Sequence, residues 1–130
     1  MNEMQELIQN NPESCSKAGY FLRRKINKIL SKRTHDLEAE WTGYDITTAY
    51  KLRELIRDAF NLTNSSLLPD DSIQAFWRTS ELNDMAVSEF IMSVENAFGI
   101  TLSEEQWQKI DTVGGLVTSV SDEIRNRKQP

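Results

Sequence analysis

The sequence has a single cysteine, Cys15, and a single histidine, His35, in 130 residues. One cysteine excludes an intrachain disulfide and any multi-cysteine metal site, and neither residue has a sequence neighbour that would complete a His/Cys metal site or a Ser-His-Asp triad. No stretch approaches the roughly 20 apolar residues that span a bilayer. Residues 1–11 lack the basic start and apolar centre of a signal peptide, so residence in the cytoplasm is the expectation. Gly-rich phosphate loops and metal-ligand spacings are also missing. Paired acids such as Asp70 with Asp71 and Glu104 with Glu105 fall where turns and helix starts use them. No catalytic constellation emerges, and a non-enzymatic role is expected. Alternating strand patterns, internal repeats and low-complexity tracts are absent too, which sets aside β and repeat architectures.

What remains is an ordinary globular composition, 38% hydrophobic and 27% charged, which suits one soluble, folded domain. The net charge of −5 conceals a division. Lys17, Arg23, Arg24, Lys25, Lys28, Lys32 and Arg33 follow one another without an intervening acid, whereas acids outnumber bases from Asp45 onward. The two parts should attract.

Apolar residues at a period of 3.6 predict four or five helices. Ser16 to Arg33 carries Leu22, Ile26, Ile29 and Leu30 on one face, with bases around the rest. Thr47 to Phe60 carries Leu52, Leu55, Ile56, Ala59 and Phe60 behind the capping candidates Asp45 and Thr47. Asn61 to Asn83 reads as a long loop with turn formers at Asn64-Ser65-Ser66 and Pro69-Asp70-Asp71, and with room for one helical turn at Ser72 to Trp77. Asp84 to Phe98 is the clearest helix, striped by Val87, Phe90, Ile91, Val94 and Phe98 and closed by Gly99 in a left-handed position. Ser103-Glu104-Glu105-Gln106 has the form of a capping box for a short helix ending near Ile110. Asp111 or Thr112 caps a last helix striped by Val113, Leu116, Val117, Val120 and Ile124, with fraying expected beyond Arg125. Helices this short are marginal alone. The prediction is therefore an all-α antiparallel bundle in which each stripe is buried against its neighbours.

Leu82 to Val120 resembles the second half of acyl and peptidyl carrier proteins. Asn83-Asp84-Met85 stands at the family's Asp-Ser-Leu motif, and Glu89-Phe90-Ile91-Met92-Ser93-Val94-Glu95-Asn96-Ala97-Phe98 is similar to the helix that follows it. Gly99-Ile100-Thr101-Leu102-Ser103-Glu104-Glu105 resembles the connection into the family's short third helix, and Lys109-Ile110-Asp111-Thr112-Val113 the junction before its last. The spacing is unbroken from Asn83 to Val117. Upstream, Thr47 to Phe60 resembles the first helix and is followed by a long loop with a Pro-Asp turn. The resemblance implies an acyl-carrier-protein-like small helical bundle with an extra N-terminal helix. Residues 1–44 would be an extension holding the basic amphipathic helix, 45–125 the carrier-like domain, and 126–130 a frayed tail.

The chain departs from the family where the chemistry is. In carriers a serine at the start of the second helix is esterified to 4′-phosphopantetheine, and that position is Asp84 here. A carboxylate attacking phosphorus would give an acyl phosphate, a mixed anhydride prone to hydrolysis, so the arm is expected to be absent and no cofactor is implied. Asp84 instead suits a helix cap worth about 1 kcal/mol. Ser80 and Ser88 are the nearest hydroxyls, a helical turn away on either side. A displaced carrier serine at one of them, making the chain an acyl or peptidyl shuttle, is the alternative.

The resemblance also implies a partner-binding face along that helix. Met85, Glu89, Met92 and Glu95 are its candidates, with Asn83, Ala86 and Asn96 where further acids often lie in the family. The leading expectation is therefore an accessory or regulatory protein acting on a protein partner. The basic helix has its own readings: an added bundle helix, an adaptor for membrane or nucleic acid, or a self-association face that makes a homodimer. Burying Leu22, Ile26, Ile29 and Leu30 would contribute on the order of 1.5 to 3 kcal/mol each, more than single exposed charges can. That favours the bundle helix over membrane or nucleic-acid contact. Trp41, Tyr44, Trp77 and Trp107 are expected as anchors beneath loops.

Overall fold

In the computed structural model, which describes residues 3–10, 18–33, 38–79 and 85–128, the apolar stripes become the inner sides of helices. Among the described residues these are α1 (Glu3–Asn10), α2 (Ala18–Ser31), α3 (Ile46–Phe60), α4 (Ile73–Thr79), α5 (Met85–Phe98), α6 (Glu104–Gln108) and α7 (Val113–Lys128). A 3-10 turn at Glu38–Trp41 lies between α2 and α3. The chain is all-α, as its periodicity predicts.

The ends of the helices follow from local chemistry. Asp45 opens α3: its carboxylate accepts from the amides of Thr47 and Thr48 at 3.2 and 3.5 Å, and the Thr48 hydroxyl donates to its second oxygen at 3.0 Å. Asn61 closes it in the left-handed region at φ 55°, where a short polar side chain is tolerated. Gly99 does the same for α5 at φ 64°. The predicted capping box is present at α6, where Gln106 N–H donates to Ser103 Oγ at 3.1 Å and Ser103 N–H donates to Gln106 Oε1 at 2.8 Å. Of the two candidates for α7, Thr112 takes the cap, its hydroxyl accepting from Gly115 N–H at 3.0 Å. The helix runs past Arg125 to Lys128, with Arg125 paired to Asp122 and the Arg127 guanidinium on the Gly99 carbonyl. Those last-turn contacts extend it beyond the end of its apolar stripe.

Among the described residues one core draws on both the N-terminal and the C-terminal parts of the chain. Met4, Leu22, Ile26, Leu30 and Trp41 share it with Leu52, Ile56, Phe60, Phe76, Phe90, Val94, Leu116 and Val120. The segment read from sequence as an N-terminal extension thus contributes directly to the same cluster. α2 packs on α4, α3 lies between α5 and α7, and α1 covers α4. Of the four stripe residues of α2, Leu22, Ile26 and Leu30 are buried and Ile29 half-buried.

Besides the longer α7, which is helical through 126–128 where a frayed tail was expected, two features depart from the sequence reading. α1 was not anticipated: its described apolar contacts are Met4, fully buried, and Leu7, half-buried, too short a stripe to register as a period. The stretch 61–83, read as a loop, is tightly held over its described residues 61–79 and contains α4 where the single turn was expected. Leu62 and Leu67 are buried, Asn64 Nδ2 donates to the Leu30 carbonyl at 3.2 Å, and Thr63 N–H donates to Asn27 Oδ1 at 2.9 Å. An isolated antiparallel bridge between Ser72 and Thr112 then joins the starts of α4 and α7. Its bonds run from Ile73 N–H to the Asp111 carbonyl at 2.9 Å and from Val113 N–H to the Asp71 carbonyl at 3.0 Å.

Candidate functional site

Phe90 and Val94 turn α5 inward against α3, and an aromatic cluster holds that side. The Phe90 ring lies 5.6 Å from Phe60, 5.6 Å from Trp77 and 6.3 Å from Trp107, centroid to centroid. These contacts fix the rotation of α5 about its axis, because edge and tilted ring packing tolerates little slippage. What faces outward is then set by the 3.6-residue turn. Met85 and Met92 come within about 20° of each other on the helical wheel and Glu89 within about 40° of Met85.

Met85 is 65% exposed and Met92 60%. Glu89, Ser88 and Asn96 are exposed beside them. Three of the four residues expected to form a partner face therefore share one surface: two flexible thioethers with a carboxylate between. Methionine adapts to differently shaped apolar partners at little cost in rotamer strain, which suits a contact surface. Glu95 sits differently. It is half-buried, roughly 80° round the helix from Met85, and its Oε2 accepts from Leu102 N–H at 3.1 Å. That bond ties α5 to the connection into α6.

Asp84 and Ser80 lie outside the described residues, as do Cys15 and His35. Ser88 is exposed in the first turn of α5, and α5 starts at Met85, the residue after Asp84 in sequence. Among the described residues no three His, Cys, Asp or Glu side chains come together to hold a metal ion. No helix among them is long and apolar enough to cross a membrane.

The tryptophans serve as anchors. Trp41 is fully buried, donates from Nε1 to the Leu67 carbonyl at 3.0 Å, meets Tyr44 edge-on at 5.1 Å, and has the Arg53 guanidinium 5.4 Å from its ring centre. Trp77 meets Phe60 and Phe90 at tilted angles, and Trp107 meets Phe90 edge to face, in the aromatic cluster.

The basic row read from the sequence is divided by the structure. Arg33 leaves it: its guanidinium is buried and binds Asp71 in a fork, Nη1 to Oδ2 at 2.7 Å and Nη2 to Oδ1 at 2.9 Å. Nη1 also donates to the Ser66 carbonyl at 2.9 Å, and Asp71 Oδ2 accepts from Leu68 N–H at 2.8 Å. This pair is the main feature that sequence reasoning missed. Asp71 reads as one of two turn acids, and only the charge division between the two parts of the chain hints that one of them has a distant partner. Arg24, Lys25, Lys28 and Lys32 stay exposed. No known family model matches the chain.

Proposed function

We propose that this chain is a non-enzymatic, acyl-carrier-like helical module that carries no prosthetic arm and acts through protein contacts as an accessory or regulatory protein. The ordered junctions from Asn83 to Val117 support the likeness, and the carboxylate of Asp84 at the serine position supports the loss of the arm. The observation that carries the reading is the outer face of α5. A helix whose inner side is locked by Phe90 and Val94 places Met85 and Met92 outward at 65% and 60% exposure. Two large apolar side chains side by side in water favour burial against another surface, each by roughly 1.5 to 3 kcal/mol when fully covered. Glu89 beside them gives that surface a sign, so the partner would present a base opposite it.

Replacing Met92 with a photo-crosslinking residue in cells tests this. A discrete adduct is expected, and Met85→Glu should suppress it. An adduct insensitive to Met85→Glu, or none at all, would remove the α5 face as the working surface.

A further inference from the structure

The first helix of the chain sits on the bundle as a ligand sits on a receptor. α1 packs on α4, with Met4 fully buried and Leu7 half-buried. Gln5 Nε2 donates to the Asp70 carbonyl at 2.8 Å, and Glu3 Oε1 stands 4.0 Å from Arg33 Nη2. The seat beneath α1 therefore offers an apolar slot, a carbonyl acceptor and a guanidinium. Three consecutive residues, Glu3, Met4 and Gln5, answer them with an acid, a thioether and an amide.

The fit is incomplete at its charged end. A separation of 4.0 Å is beyond hydrogen-bond reach, and the Glu3 side chain stays 60% exposed. Arg33 is committed to Asp71 instead, and its buried Nε has no acceptor among the described residues. The guanidinium thus keeps donor capacity that α1 leaves unused.

What holds α1 in place follows from its size and its attachment. A helix of eight residues is marginal in water, so the seat supplies its order. Residues 11–17 join it to α2, and a short tether holds a segment at a roughly millimolar effective concentration near its site. A weak ligand at that concentration fills its seat. It also gives way to a free helix that makes the same contacts more completely, with a carboxylate brought fully onto Arg33.

We propose that α1 is an internal ligand: its seat on α4, beside Asp70 and Arg33, is a binding site for a helix of a protein partner that presents acid, apolar and amide side chains as Glu3, Met4 and Gln5 do, and α1 closes that site in cis. The segment seated there shows which chemistry the site accepts, and the mode is helix-in-groove recognition with the competitor built into the chain.

The test titrates the isotope-labelled full chain with a synthetic peptide of residues 1–10 and follows the backbone amides by NMR. Met4→Glu in the chain evicts α1 by placing a charge in an apolar slot, and leaves every residue of the seat unchanged. The peptide should then shift the amides of Ile73–Thr79 and Arg33 and saturate. In the wild-type chain the midpoint should lie about tenfold higher or more, because the tethered copy competes. Glu3→Gln with Gln5→Ala, a milder second variant, should fall between the two. A peptide carrying Met4→Glu should shift nothing, and Met92→Glu on α5 should alter none of these outcomes, so failure here and failure of the α5 reading are distinguishable. The proposal is overturned if the peptide leaves α4 unmoved in both variants, or if all three chains share one midpoint. It is equally overturned if Met4→Glu unfolds α3, α5 and α7 together with α1, or if the wild-type chain trades α1 between two copies and sediments as a dimer.

Discussion

At the scale of single residues, the Arg33–Asp71 pair governs more than its own contact. Asp71 is fully buried, and its backbone carbonyl holds Val113 N–H at the start of α7 while its carboxylate holds Arg33 at the end of α2. Removing one member of a buried pair leaves the other charged without compensation, typically at a cost of 3 to 5 kcal/mol. That is a large part of the 5 to 15 kcal/mol by which small domains are stable. Asp71→Ala should therefore lower the unfolding free energy in urea by roughly that 3 to 5 kcal/mol, and a loss below about 1 kcal/mol would place the pair among ordinary surface bridges. Gly114 is a second such point. A Cβ there would stand 2.6 Å from the Tyr44 hydroxyl and 3.0 Å from the Pro69 carbonyl, whose oxygen already accepts from Gly114 N–H at 2.9 Å. Backbone on one side and a packed ring on the other leave little room to give way. Gly114→Ala is expected to cost on the order of 1 to 3 kcal/mol, whereas the same change in an exposed helix interior would stabilise; equal or greater thermal stability would contradict the close packing.

At the scale of elements, α1 is held differently from the rest. Its anchors are Met4 in the core, Gln5 Nε2 donating to the Asp70 carbonyl at 2.8 Å, and Glu3 4.0 Å from Arg33. An eight-residue helix has little stability of its own. Met4→Ala, a class of change that costs roughly 2 to 5 kcal/mol in a core, is thus expected to release α1 locally. Hydrogen exchange should speed up in residues 3–10 while α3, α5 and α7 keep their protection. Uniform acceleration across the molecule would show α1 to be integral to the cooperative unit.

The same contrast explains what was legible in advance. α2, α3, α5 and α7 announce themselves through four or more apolar positions in register, and the caps of α3, α5, α6 and α7 at Asp45, Gly99, Ser103 and Thr112 do so through residue types with one local purpose. α1 escapes notice because Met4, Leu7 and Ile8 span little more than one turn, too short a run to establish a period. Residues 61–72 look like a loop because what holds them, the Arg33 fork, the Trp41 bond to Leu67 and the bridge from Ser72 to Thr112, links positions far apart in sequence. The candidate face on α5 was legible for Met85, Glu89 and Met92, since helical spacing alone puts them together. Glu95 was legible as a position but not as a bond to Leu102, which depends on how the connection after Gly99 folds back.

At the scale of the whole molecule, the division of charge shows among the described residues as one buried pair, a half-buried Arg23 and one exposed row. The attraction expected between the basic and acidic parts is met by Arg33 and Asp71, leaving Arg24, Lys25, Lys28 and Lys32 at the surface of an otherwise acidic chain. One outward face is the methionine pair on α5. On the proposed function such a module would connect proteins without changing them, and that proposal depends on position 84 being unable to hold a phosphopantetheine arm. The most direct measurement is the intact mass of the purified chain after incubation with coenzyme A and a phosphopantetheinyl transferase. The mass should be unchanged. A phosphopantetheine adduct on any serine, traced by its loss in Ser88→Ala or Ser80→Ala, would make the chain a working carrier and contradict the account.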